Sequence, residues 1–286
     1  MDAAFTFAIL AGAYAVLFAL ERAIPLRRAK ARLLPRLGVN LAVSALAFMA
    51  AFATVSPLSK LTLDWTSRAS FGFVPIVGLT GVAEFAVTFL FLDLSFYYWH
   101  VANHRVAFLW RFHVAHHIDP DLDVTTAFRF HFVEVALSGV FRAIQIAVIG
   151  PALATYAVYE IVFQLGTLFH HSNVRFPIGV ERALNKLFVT PRMHGIHHSQ
   201  EAEETNTNFG VVFPWWDRLH RTLRLDVAQA RIAIGVPGYS EPGDNRLGSC
   251  LGMPFRRQRD YWPGRDWATS DGKLRLPRVA RLPLAE

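Results

Sequence analysis

Apolar positions in this chain fall in long runs rather than in the periodic stripes of a water-soluble protein. The first run, Ala3 to Leu20, is interrupted only by Thr6 and Gly12. A second extends from about Leu37 to Val55 and a third from about Phe73 to Tyr98. A spanning helix needs roughly 20 apolar residues, so each run reads as one membrane crossing. Ser56–Gly72 reads as a loop between the second and third. The stretch Phe132–Phe169 is about twice the length of one crossing, and Gly150-Pro151 near its middle is a turn signal. It is predicted to form two short helices folded back as a hairpin. No basic stretch precedes the first run and basic residues follow it, which favours a retained span over a cleaved signal peptide.

Composition and charge agree with this frame. Of 286 residues, 53% are apolar and only 18% charged, against about 25% charged in soluble domains. That excludes a soluble globule, a disordered chain and a coiled coil. The net charge of +7 is distributed on one side. With five crossings, the loop 21–36, the segment 99–131 and everything after 171 share a face. That face carries every Lys and Arg except Lys60, Arg68 and Arg142. Positive charge marks the cytoplasmic side, where it serves topology and contact with anionic lipid. No recognition helix or base-stacking sheet suggests nucleic acid. The expected fold is all-α: an integral membrane helical bundle with a cytoplasmic, histidine-rich metal-binding cap. Residues 1–84 form the N-terminal transmembrane helices, 85–225 a catalytic region that includes the hairpin, and 226–286 a C-terminal cytoplasmic cap.

A lone cysteine, Cys250, excludes disulfides and Cys-based metal sites. The 12 histidines are more informative. His100 and His104 are spaced i, i+4; His113, His116 and His117 are spaced i, i+3, i+4; and His194, His197 and His198 repeat the second pattern. Residues three and four apart share one helical face, so each cluster can aim its imidazoles at one point. All lie just beyond apolar runs on the same side, as does the pair His170-His171. Imidazole suits Zn, Fe, Cu or Ni. Eight histidines exceed the three or four protein ligands of one zinc site, so two ions in a shared pocket is the economical reading.

At these residues the chain resembles the fatty acid hydroxylase/sterol desaturase superfamily. The resemblance rests on Asp93-x3-Tyr97-Tyr98-Trp99-His100-x3-His104, on Leu109-Trp110-Arg111-Phe112-His113-x2-His116-His117 and on Met193-His194-x2-His197-His198-Ser199. Further matching segments are 123–131, 171–177, 204–210 and Trp216-Asp217-Arg218, so the likeness covers roughly 85–225. It implies an integral membrane enzyme with a histidine-bound di-iron centre that uses O2 and electrons to hydroxylate or desaturate a lipid. His171 is preferred to His170 as a ninth ligand because it occupies the family's His-Ser-Asn position. His131 is open between a supporting role and a helix-end role. Val101, Ile118 and Phe132 depart from common family residues without removing a ligand.

Ligating histidines usually donate their outer N–H to a carboxylate, carbonyl or water. Candidates for that support are Asp93, His131, Glu160 and Asn173. Asp93, Tyr97, His100 and His104 share one helical face, and Glu160, Gln164, Thr167 and His171 repeat the spacing. Trp110, Trp215 and Trp216 read as interfacial anchors. No Gly-x-Gly-x-x-Gly fingerprint or fused haem or flavin domain is evident, so electrons are expected from a separate ferredoxin, cytochrome or reductase. An Ala- and Arg-rich chain of this kind points to a bacterial inner membrane. The competing readings fit less well. A zinc protease would favour His-Glu-x-x-His, a metal carrier would hold its ligands near the bilayer midplane, and a bis-His haem carrier leaves two boxes unexplained. Hydroxylation is preferred to desaturation, with which it shares hydrogen abstraction from an unactivated C–H bond.

Overall fold

The computed structural model describes residues 3–259 and 262; the remainder of the 226–286 segment lies outside the described residues. Helix α1 (Ala3–Ala23) leads by a short connection into α2 (Leu33–Ala50), which continues through a π-helical stretch, Ala51–Val55, into α3 (Ser56–Ala69). Short α4 (Phe73–Val77) precedes α5 (Gly81–Arg105) and α6 (Ala107–His117). The hairpin is α7 (Phe132–Ile149) and α8 (Leu153–His171). Beyond it come α9 (Ile178–Leu184), α10 (Pro191–His197), α11 (Ala202–Thr205), α12 (Trp215–His220) and α13 (Leu247–Gly252). No strand occurs among the described residues; isolated bridges join Pro25 to Val174 and Ser199 to Ile234. The architecture is all-helical.

Four stretches are long and apolar enough to cross a membrane: 4–23, 33–77, 81–105 and 132–149. α8, which carries Glu160, Gln164 and the histidine pair, is not among them. The second stretch corrects the sequence reading, because Ser56–Gly72 is helical to Ala69 rather than a loop. Its polar residues obscured a half-buried face on which Ser59, Leu63 and Thr66 recur at helical spacing. The π-helical stretch has a local cause. Pro57 has no N–H, and its ring crowds the carbonyl four residues back, so the helix widens just ahead of it.

At the hairpin bend, Gly150 takes φ +64°, and a side chain there would strike Phe71 and Gly72. Only glycine lets α7 and α8 turn against that neighbour. Both arms touch α5, but α7 packs mainly on α2 and α3, and α8 on α1 and α10 as well. Aromatic and aliphatic side chains fill the bundle, with Leu92, Phe96, Ile146 and Tyr159 at its centre.

A buried ionic knot joins the first helices to the cap. From α2, Arg36 donates to Asp119 at 2.6 Å and to Asp123 at 2.6 Å, while Asn40 donates to Asp119 and to Thr125. Burial alone would push both carboxyls up in pKa, but the Arg36 guanidinium holds both below the usual range. Asp119 follows His117 by two residues, so the knot fixes the end of α6 where three histidines sit. Residues 226–259 pack onto the same region. Gly235 N–H donates to the His198 carbonyl, and Arg129 donates to Cys250 Sγ.

Candidate metal centre

α5 ends with His100 and His104, α6 with His113, His116 and His117, α8 with His170 and His171, and α10 carries His194 and His197 ahead of His198. These helix ends converge below the cap, and nine of the histidines form two groups. His100, His104, His113, His117 and His197 make one, and His116, His171, His194 and His198 the other. In each group the facing nitrogens all lie within 4.8 Å of one another. The groups adjoin, the His117 and His198 rings stacking at 4.3 Å. All are buried except His100, which is half-buried.

The outer nitrogens show which way the rings are set. His100 Nδ1 donates to the Phe209 carbonyl at 2.8 Å, His197 Nδ1 to Thr207 at 2.8 Å and His171 Nδ1 to Thr167 at 2.8 Å. His113 Nδ1 bonds the Glu134 carboxylate at 2.8 Å. A carbonyl can only accept, so Nδ1 carries the proton and Nε2 presents a lone pair inward. In the second group the Nε2 atoms of His116, His171, His194 and His198 follow one another at 3.1 Å. Metal–nitrogen bonds of about 2.0–2.1 Å place neighbouring ligand nitrogens about 3.0–3.4 Å apart. In the first group, Nε2 of His104, His113 and His197 and both nitrogens of His117 are buried without a partner. Inward lone pairs with nothing to accept from fit metal ions. Burial also pushes His116, His117, His194, His197 and His198 well below the ordinary imidazole pKa, with neighbouring imidazoles adding to the effect, so they are neutral and able to ligate.

The fatty acid hydroxylase family profile matches residues 85–222, which hold all nine histidines. Over that region the chain belongs to the fatty acid hydroxylase family. It is 31% identical over 229 residues to ornithine lipid hydroxylase OlsE of Rhizobium tropici, covering 79% of this chain and 64% of the relative. It is 26% identical to alkylglycerol monooxygenase of Caenorhabditis elegans, covering 48% of this chain and 26% of the relative. Identity to human cholesterol 25-hydroxylase is 27%, covering 50% of this chain and 52% of the relative. The chain thus spans less than two thirds of the length of each of these relatives. No solved structure gives a significant match.

Several residues expected to support the ligands bond elsewhere. Asp93 touches no imidazole. It accepts from Val212 N–H, Phe213 N–H and Trp216 Nε1, at 2.7 Å for the last. This pins the loop whose carbonyls hold His100 and His170, so Asp93 acts through the backbone. Asp217 anchors the same loop by accepting from Phe209 and Gly210 N–H, and burial raises its pKa to about 6 against those bonds. Glu160 pairs with Arg142, away from the histidines. Asn173 exchanges hydrogen bonds with the Arg27 backbone, and His131 caps α7 by accepting from Val133 N–H. His170 donates to the Val211 carbonyl and lies outside both groups. Trp215 donates to the Lys186 carbonyl. The supporting groups missed in the sequence are Glu134 and the carbonyls of Thr207 and Phe209. Only Glu134 left a signal there, as an ionisable residue at the start of an apolar run.

Both groups open onto a cavity of about 210 Å3 between the arms of the hairpin. His100, His113, His116, His171 and His194 form one end, and Phe48, Val55, Phe96, Trp99 and Phe163 line its middle. The arrangement can hold two metal ions beside an apolar chamber.

Proposed function

We propose that the protein is an O2-dependent di-iron membrane oxygenase that hydroxylates an unactivated C–H bond of a lipid of acyl, sterol or isoprenoid type. The observation that carries this reading is the shared cavity, in which neutral imidazoles from both groups face an apolar chamber between membrane helices. Lipid hydroxylation is also named in the relatives. The ligands are His100, His104, His113, His117 and His197 for one ion and His116, His171, His194 and His198 for the other. Two irons would supply O2 activation, which zinc, having no redox chemistry, cannot.

The chain's own residues set the stage for that chemistry. Glu134 and the Phe209 and Thr207 carbonyls fix ring orientation, which typically matters about 10–100-fold for metal affinity. Phe96, Trp99 and Phe163 seat the chain and keep water from the reacting carbon. One oxygen atom enters the C–H bond, and two electrons and two protons reduce the other to water. Those electrons come from a separate ferredoxin, cytochrome or reductase, which would meet the basic, cytoplasmic face of a bacterial inner membrane.

The test supplies purified protein in nanodiscs with an electron-donor system, a bacterial lipid extract and isotopically labelled O2. The expected product is a lipid alcohol carrying the label, formed only with the donor present. Product without any donor would refute the separate partner. An alkene in place of an alcohol would make the chain a desaturase, and the absence of any oxidised lipid would overturn the reading.

A further inference from the structure

Apart from the Thr167 carbonyl that holds His171, the polar stripe of α8 has no part in orienting the histidines. Glu160, Gln164 and Thr167 instead line the cavity, and from α7 Ser138 and Arg142 line it too. Arg142 and Glu160 pair across the chamber from opposite arms of the hairpin. By helical rise Arg142 lies about 12 Å beyond Glu134, and Glu160 about 17 Å beyond His171. The pair is therefore the floor of a chamber whose roof is the two histidine groups.

This floor is not a closed ion pair. Arg142 is 6% exposed, its guanidinium lies 4.6 Å from the Phe96 ring centre and 5.2 Å from that of Phe163, and its Nε has no hydrogen-bond partner. The Glu160 side chain keeps 25% of its surface open. Polar groups facing an apolar chamber are costly to leave without partners, and an alkyl chain laid against this pair would offer nothing to the Arg142 Nε or to the open side of the Glu160 carboxylate.

We infer that Arg142, Glu160 and Gln164 form a recognition site for an uncharged hydrogen-bonding group of the substrate, a hydroxyl, remote from the carbon presented to the histidines. The inference rests on the reading of the cavity as a lipid chamber. The pair is neutral overall, with donors on Arg142 and Gln164 and an acceptor on Glu160. A hydroxyl can donate to Glu160 while accepting from Arg142. A carboxylate or phosphate would meet the Glu160 charge, and an ammonium the Arg142 charge. The substrate then lies with its polar end at the floor and its apolar end at the metal centre.

Photolabelling of the purified full chain in detergent, without added metal, tests this with two forms of myristyl alcohol, carrying a diazirine beside the hydroxyl or at the methyl end. The first is expected to label 138–145 and 160–164, and the second 99–116 and 167–171. Unlabelled myristyl alcohol should compete at about tenfold lower concentration than tetradecane or myristate, the effect of roughly one net hydrogen bond. In Arg142→Met/Glu160→Met, which leaves no lone charge behind, the chamber should still label but the preference for one end and for the alcohol should vanish. Glu160→Gln, which keeps the side chain's size, should make myristate a better competitor. Retention of the alcohol preference in the double variant, equal competition by tetradecane in the wild type, or reversed end labelling would overturn the inference. Failure of both probes to label the chamber would overturn the lipid-chamber reading itself, whereas the iron content and product assays would stand or fall separately.

Discussion

The two histidine groups share α6 and α10, the first adding α5 and the second α8, and they are held differently. In the first, three outer nitrogens reach partners distant in sequence: His113 to Glu134, His100 to Phe209 and His197 to Thr207. In the second, His171 bonds a carbonyl one turn back on its own helix, and Nδ1 of His116, His194 and His198 is buried without a partner. The first group also has a carboxylate beside it to offset metal charge, and the second has none among the described residues bonded to its rings. An outer partner fixes ring orientation and raises ligand basicity. On the proposed reading the first site is expected to be the more rigid and the tighter, and the second the freer to rearrange.

Adjacent histidines offer the sharpest way to separate them. His197 belongs to the first group and His198 to the second. Each single change to Ala should remove one metal ion of two and lower lipid oxidation by more than the about 100-fold that an outer partner can cost, as read by metal analysis and turnover. Loss of both ions from either variant would show the groups to be one site. Arg36→Met strikes both groups at once, because it removes the main counter-charge of the buried Asp119 and Asp123 behind α6 and leaves them only Arg129 and Arg22. A destabilisation of about 3–5 kcal/mol is expected in denaturation of the detergent-solubilised protein, with both ions weakened together. Glu134→Ala, by contrast, should weaken one ion about 10–100-fold in a chelator titration and leave the other unchanged; equal weakening of both would erase the distinction.

Acid should act on both groups alike. The ordinary imidazole value is 6.5, and burial holds His116, His117, His194, His197 and His198 well below it in the folded chain. Below about pH 6.5 the unfolded chain therefore binds more protons than the folded one, and stability falls as pH drops. Above that value the contribution is constant. The metal-free protein should lose at least about 1 kcal/mol per pH unit on acidification, seen as a falling Tm between pH 7 and pH 5.

The convergence of the histidines was legible because helical spacing puts i, i+3 and i+4 on one face; their division, which parts His116 from His113 and His117 and His197 from His194 and His198, was not. Their outer partners were not, because Glu134, Thr207 and Phe209 reach them through folded loops and helix crossings that no spacing encodes. The stripe of Glu160 and Gln164 could likewise be seen, but a stripe gives a face and not the neighbour it meets, which here is Arg142. α3 was missed for a different reason. Lys60, Asp64 and Arg68 made it look like a loop, while its buried face was only one residue wide per turn. The hairpin bend was legible because Gly150-Pro151 has few other uses within an apolar stretch.

The most direct measurement is metal identity and stoichiometry on protein grown in iron-replete medium and purified in mild detergent without metal-affinity resin. Two irons per chain are expected, falling to one in His197→Ala and to one in His198→Ala. A single zinc, or no bound metal at all, would contradict the di-iron centre, and two zincs would keep the geometry while contradicting its redox chemistry.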